Sequence, residues 1–254
     1  MKQNSVTMDG PCWVELGTSD PAAAKAFYRE LFGWRAETDP RPEAGGYTQM
    51  LLGDAPAAGL TPLFTPDQPT AWTVSFAVPD TDVVVALVKD AGGRVLMEPA
   101  EVFDLGRFAV AADPSGAVFS LWQARAFQGA GVLNEPGALG WVELLTRDPV
   151  TSAAFYPEVF GWSVSRSDQY TQWGVHGGDF GGMLVMDDRF PPEVPPHWLP
   201  YFSVADVDNT VTRASGLGAD VLMPATDVPE GPRIAVLRDP QGAAFGVYLA
   251  GTEG

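Results

Sequence analysis

Two short segments of the chain set a tryptophan and a carboxylate two residues apart, Trp13-Val14-Glu15-Leu16 and Trp141-Val142-Glu143-Leu144. Read as strands, they send Trp13 with Glu15, and Trp141 with Glu143, to one face, while the valine and leucine of each turn to the other. A carboxylate beside an indole on a concave wall is partly desolvated. Its pKa rises, which suits a general base or an anchor for a cationic ligand. The same pattern also fits a structural carboxylate, hydrogen-bonded to a neighbouring strand or paired with Arg107 or Arg233, and the residues alone leave both readings open. Trp13 and Trp141 either stack on a planar ligand or fill space.

The chain holds two histidines, His176 and His197, both in its second half. His176 follows Tyr170-Thr171-Gln172 on an expected strand. His197 follows Pro191-Pro192 and Pro195-Pro196, as a loop lid would, and aligns with Ala71. Histidine is the side chain whose unperturbed pKa lets it exchange protons near neutral pH. If the protein is an enzyme, Glu143 and His197, with Glu15 as a further candidate, are the expected catalytic residues, and the C-terminal half the chemical one. The lone Cys12 excludes an intramolecular disulfide and a multi-cysteine zinc site. The pairs Gly177-Gly178 and Gly181-Gly182 read as turns and bulges, without the strand-to-helix context of a dinucleotide site.

The elements that position these residues are duplicated. Asp20-Pro21, Phe27-Tyr28 and Phe32-Gly33-Trp34 recur as Asp148-Pro149, Phe155-Tyr156 and Phe160-Gly161-Trp162, at the spacing that separates Trp13 from Trp141. Tyr47-Thr48-Gln49 returns as Tyr170-Thr171-Gln172, and Asp113-Pro114 with Gly116 and Phe119 as Asp239-Pro240 with Gly242 and Phe245. Such density means a duplicated domain. Within each copy, an Asp N-cap with Pro at the first helical position opens a helix that glycine closes, and three short strands follow. The pattern then starts again at Trp72. The reading is four βαβββ modules in an α+β, largely antiparallel fold, with a first domain over 9–124, a linker over 125–137 and a second domain over 138–250.

Asp20 through Trp34 with Asp113-Pro114-Ser115-Gly116, and Asp148 through Trp162 with Asp239-Pro240-Gln241-Gly242, resemble the vicinal oxygen chelate superfamily of glyoxalases, bleomycin-resistance proteins and extradiol dioxygenases. The resemblance implies two tandem glyoxalase-like domains, each a curved, mostly antiparallel sheet around a cup with helices outside. Metal-dependent relatives hold their ion through His, Glu or Gln at fixed strand positions. Those positions here are Trp13, Thr73 and Ser120 in one half and Trp141, Leu199 and Gly246 in the other. Such a set offers no adequate ligands, so neither a metal nor another cofactor is expected. Strand alternation then lines the cups with Trp13, Glu15, Thr73, Ser75, Ser120 and Trp122, and with Trp141, Glu143, Leu199, Tyr201 and Tyr248, the composition of a small-molecule site.

Composition narrows the partners. Lys plus Arg number 15 against 32 Asp plus Glu, a formal charge of -17, which repels nucleic acid and anionic membrane. No signal-peptide core follows Met1–Ser5, and a cytoplasmic monomer or homodimer is expected. Three functions fit: metal-independent binding of a bulky aromatic or cationic metabolite, of the antibiotic-resistance type; a cofactor-independent tailoring enzyme of aromatic natural products (hydrolase, isomerase or hydroxylase-like); or a degenerate scaffold for another protein.

Overall fold

The computed structural model describes residues 7–167, 170–229 and 231–249, so the leader reading at Met1–Ser5 lies outside the described residues. The first half runs β1 (Pro11–Thr18), α1 (Pro21–Phe32), β2 (Arg35–Thr38), β3 (Thr48–Leu52), β4 (Ala55–Pro62), β5 (Ala71–Ala77), α2 (Thr81–Asp90), β6 (Arg94–Val102), β7 (Gly106–Ala112) and β8 (Val118–Ala124). The second half repeats it with β9 (Leu139–Thr146), α3 (Pro149–Phe160), β10 (Ser163–Arg166), β11 (Thr171–Val175), β12 (Gly178–Val185), β13 (His197–Val204), α4 (Val207–Gly216), β14 (Asp220–Asp227), β15 (Arg233–Arg238) and β16 (Ala244–Leu249). The helix limits follow from local chemistry. The Asp20 carboxylate accepts from the Ala22 and Ala23 N–H groups, Pro21 opens α1, and Gly33 closes it at φ 76°. Asp148, Pro149 and Gly161 do the same for α3.

Each half is one eight-stranded sheet, in the orders β2-β3-β4-β1-β5-β8-β7-β6 and β10-β11-β12-β9-β13-β16-β15-β14. The pairings β1 with β4, β5 with β8, β9 with β12 and β13 with β16 are parallel, and the others antiparallel. The four-module, two-domain α+β architecture is therefore as expected. Register places Glu15 opposite Thr73 and Gly59, Trp13 opposite Ser75, and Ser75 opposite Ser120. These residues share the concave face.

The helices lie on the convex faces, and those faces meet. Val14, Leu16, Trp72, Val74 and Phe76 join Val142, Leu144, Trp198 and Phe202 in one continuous core. The Phe76 ring lies 5.2 Å from Trp198 and Trp72 lies 5.3 Å from Phe202. The first helix of each half also packs on the other half's sheet: Phe27 and Phe32 of α1 reach Phe245 and Phe202, while Phe155 and Phe160 of α3 reach Phe119 and Phe76.

Two matching hydrogen bonds cross this interface. The Tyr28 hydroxyl donates to Asp239 Oδ2 at 2.9 Å and accepts from Trp72 Nε1 at 3.1 Å. The Tyr156 hydroxyl donates to Asp113 Oδ2 at 3.2 Å and accepts from Trp198 Nε1 at 2.9 Å. Asp113 and Asp239 also take the backbone N–H groups of the Asp-Pro-x-Gly turns through Oδ1. The repeated Phe-Tyr and Asp-Pro motifs thus join one half to the other. Removing the hydroxyl with Tyr28→Phe leaves a buried carboxylate oxygen without its donor, and should cost about 1–3 kcal/mol in urea unfolding, with a smaller loss for Tyr156→Phe, where the Ser152 hydroxyl still reaches Asp113 Oδ2 at 3.3 Å. Unchanged stability in both variants would contradict this role.

Candidate functional site

The concave face of each sheet carries a matched set of three side chains packed on a glycine. In the second half the Trp141 Nε1 donates to the Tyr170 hydroxyl at 3.1 Å, which in turn donates to Glu143 Oε1 at 2.8 Å. A Cβ at Gly182 would stand 2.2 Å from the Tyr170 oxygen, so only glycine lets the phenol lie flat on β12. In the first half Trp13, Tyr47 and Glu15 gather around Gly59, where a Cβ would meet the Tyr47 oxygen at 2.8 Å and Trp13 Nε1 at 3.0 Å, with Tyr47 bonded to Trp13 and not to Glu15. Tyr47 and Tyr170 were not among the sequence candidates. The recurrence of Tyr-Thr-Gln was their signal, but without the β3–β4 and β11–β12 registers nothing tied those tyrosines to the glutamates.

The fourth member distinguishes the two cups. Tyr201, opposite Trp141, donates its hydroxyl to Glu143 Oε2 at 3.0 Å. Both oxygens of Glu143 are therefore occupied by phenols. Its neighbours Leu199 and Tyr201 are 2% and 4% exposed and join Leu145 and Met186 in an apolar cluster. At the position of Tyr201 the first cup has Ser75, at that of Leu199 it has Thr73, and at that of Gly246 it has Ser120. Glu15, Thr73, Ser75 and Ser120 are all half-buried, and among the described residues no side chain bonds to the Glu15 carboxyl. Burial pushes Glu15 up to about 7. It raises Glu143 as well, against the two tyrosine bonds that hold it down.

Neither arginine proposed as a partner of these glutamates reaches them. Arg107 pairs with Asp82 and Glu101, and Arg233 with Asp208 and Asp227, all away from the cups. His176 occupies a hairpin turn with Gly177, both at positive φ (51° and 84°), rather than a strand. His197 is the first residue of β13 and not part of a lid. Its Nδ1 lies 2.8 Å from the Pro195 carbonyl, which can only accept, so the proton sits on Nδ1 and leaves Nε2 as the free acceptor. Burial lowers its pKa. It stands opposite Leu145, two positions along from the Leu199–Glu143 pair, a separation of about 6–7 Å along the strand. Glu143 and His197 thus share a face, and the hydrogen-bond partners of each lie elsewhere: Tyr170 and Tyr201 for Glu143, the Pro195 carbonyl for His197.

The donor set does not fit a metal. The Trp13 indole packs on Gly59 and against Tyr47, and Thr73 and Ser120 offer neutral hydroxyls. Among the described residues no three His, Cys, Asp or Glu side chains are grouped to hold an ion.

The segment joining β8 to β9 closes one end of the first cup. Phe127 meets the Trp13 ring edge-on at 5.0 Å and its carbonyl accepts from Trp122 Nε1 at 3.0 Å. The Ala130 N–H bonds to the Cys12 carbonyl and that of Gly131 to Pro56, both at 2.8 Å. The edges of the curled first sheet are bridged by Arg41, whose guanidinium lies 3.9 Å from the Phe103 ring centre. Trp122 and Tyr248 occupy corresponding places on β8 and β16, and Tyr248 packs with the apolar cluster of the second cup.

Because the Glu15 pKa is raised in the folded state, the folded protein binds a proton more tightly than the unfolded chain. That stabilisation is complete at low pH and is lost as pH rises through about 7. Glu15→Gln removes the linkage. The variant should gain about 1–3 kcal/mol over the parent between about pH 5 and pH 8.5 in paired urea unfolding curves. A pH-independent difference would show that Glu15 ionises normally.

Comparison with known proteins agrees with this architecture. Residues 11–121 match the Glyoxalase/Bleomycin resistance protein/Dioxygenase superfamily, and residues 141–248 match a Glyoxalase-like domain. The chain is 40% identical over 255 residues to the anthracycline biosynthesis protein DauV of Streptomyces sp. (strain C5), covering 93% of this chain and 92% of that one. It is 38% identical over 255 residues to "Putative glyoxylase CFP32" of Mycobacterium tuberculosis, covering 97% of each. Among solved structures, the Mn(II)-bound glyoxalase from Novosphingobium aromaticivorans shares the fold, with a TM-score of 0.69 at 17% identity over 95% of this chain and 82% of that chain. With both halves matched and relatives this similar along nearly their whole length, the chain belongs to the Glyoxalase/Bleomycin resistance protein/Dioxygenase superfamily, as two tandem glyoxalase-like domains.

Proposed function

We propose that this protein binds a planar aromatic small molecule in its first cup without the help of a metal. The observation that carries this reading is the difference between the two concave faces. The second is filled by its own Leu199 and Tyr201, whereas the first keeps Glu15, Thr73, Ser75 and Ser120 half-buried beside the aromatic cluster of Trp13, Trp122 and Phe127. Aromatic walls with a few polar groups are what small-molecule sites present. The similarity to proteins named for anthracycline biosynthesis points to a polycyclic ligand of natural-product type. The partial exposure of these four residues also weighs against a packed scaffold whose only role is to bind another protein.

A second reading, a cofactor-independent tailoring enzyme, draws on Glu15. A carboxyl held near 7 with no side-chain partner is suited to take a proton from a bound substrate. On that reading the catalytic cup is the first, with Glu15, rather than the one holding Glu143 and His197. Product formation by metal-free protein, lost in Glu15→Gln, would favour it over binding alone.

The cup assignment is tested by rebuilding the second cup in the first. The double variant Ser75→Tyr/Ser120→Gly supplies the phenol and the glycine it rests on. Calorimetric titration of chelator-treated protein with bicyclic and tricyclic aromatic compounds should show saturable binding for the parent and at least about tenfold weaker binding for the variant. Parent and variant binding alike would move the site out of the first cup.

A further inference from the structure

The duplication records what the first cup lacks, because the second cup contains the corresponding piece of chemistry as part of its own chain. In the second cup a phenol ring lies flat against β16: a Cβ at Gly246 would stand 2.1 Å from the Tyr201 ring. Its hydroxyl donates to Glu143 Oε2, and the Tyr170 hydroxyl satisfies the other oxygen. In the first cup the tyrosine corresponding to Tyr170 is present as Tyr47, and the carboxylate as Glu15. The ring-bearing residue is replaced by Ser75, and the adjacent leucine by Thr73. What is missing there is the aromatic ring with its O–H donor at the Tyr201 position, and Tyr47, unlike Tyr170, does not bond the glutamate either.

We infer that the first cup selects a hydroxylated aromatic ring, seated where Tyr201 sits in the second cup, with its phenolic O–H donating to Glu15. The inference rests on the first-cup reading above and adds the chemical class of the ligand. Three observations support it. Glu15 is the carboxyl of that face with no side-chain donor, and a half-buried carboxylate without donors is costly until a ligand supplies one. Ser75 and Ser120 stand side by side where the Tyr201 ring and Gly246 stand in the other half, so the side chains at that position are small and polar where the second cup carries a ring. Burial gives Glu15 a higher affinity for protons than an exposed carboxylate has, which favours sharing a proton with a weak acid such as a phenol.

The test compares three probes of similar size, 2-naphthol, 2-methoxynaphthalene and 2-naphthylmethylammonium, by calorimetric titration of the intact metal-free protein. The expected result is that 2-naphthol binds about tenfold more tightly than its methyl ether, which cannot donate, and more tightly than the ammonium, whose charge costs more to desolvate beside aromatic rings. In Glu15→Leu the naphthol and ether should come within about twofold of each other, and Glu15→Gln, which retains an acceptor oxygen, should fall between. Should Glu15→Leu fail to fold, the parent and Glu15→Gln carry the comparison. Equal binding of naphthol and ether, or preference for the ammonium, overturns the phenol assignment. If binding is equal but lost in Ser75→Tyr/Ser120→Gly, the cup reading stands while this inference falls. If no probe binds the parent protein, both fall together.

Discussion

Everything in this structure depends on the aromatic seam at which two convex sheet faces meet. The tyrosines of α1 and α3 each reach across to a buried aspartate of the opposite half, and the tryptophans of β5 and β13 close the triplets from their own side. Aromatic rings bury large areas, and hydroxyl and indole hydrogens need partners once buried. The seam provides both. With the convex faces committed to each other, the concave faces remain outside the seam. The family motifs therefore hold the molecule together, and the proposed ligand site lies on the opposite side of the same strands.

Duplication of a site relaxes the demands on each copy, and the two cups show two outcomes. In one, a tyrosine and a leucine fill the concave face, and the glutamate becomes an internal hydrogen-bond acceptor with both oxygens satisfied. In the other, two serines and a threonine stay half-buried at those positions, and the glutamate has no side-chain donors among the described residues. The same residue type at the same strand position accepts from two tyrosines in one half and from no side chain in the other. The shift of the Glu15 pKa is a consequence of that arrangement: the carboxyl is withdrawn from water without being given donors.

Much of this was legible in the sequence. Asp-Pro helix starts, glycine stops and the repeated motifs placed all four modules, because capping and turn chemistry are local. Alternation along β1 and β9 put Trp13 with Glu15 and Trp141 with Glu143 on the cup face, because strand periodicity is local too. The asymmetry between the cups was not legible. Tyr201 and Leu199 were visible as inward residues, but their effect on Glu143 depends on the β9–β13 register and on the ring's approach to Gly246, which are contacts between distant segments. Weight on the two histidines of the second half followed from their chemistry as residue types. The turn at His176 and the Pro195 carbonyl at His197 are what give those side chains their surroundings. Tyr47 and Tyr170 passed unnoticed for the same reason: a residue's part in a site is set by the strand beside it.

The central claim is that one cup is open to an aromatic ligand and the other is filled by the chain itself. The most direct measurement is a crystal structure of the metal-free protein grown with 2-naphthol. The account predicts density for one ring in the first cup, between Trp13 and Ser120 with its oxygen at Glu15, and an undisturbed Tyr201 in the second. Ligand density in the second cup, with Tyr201 displaced from Glu143, would contradict it.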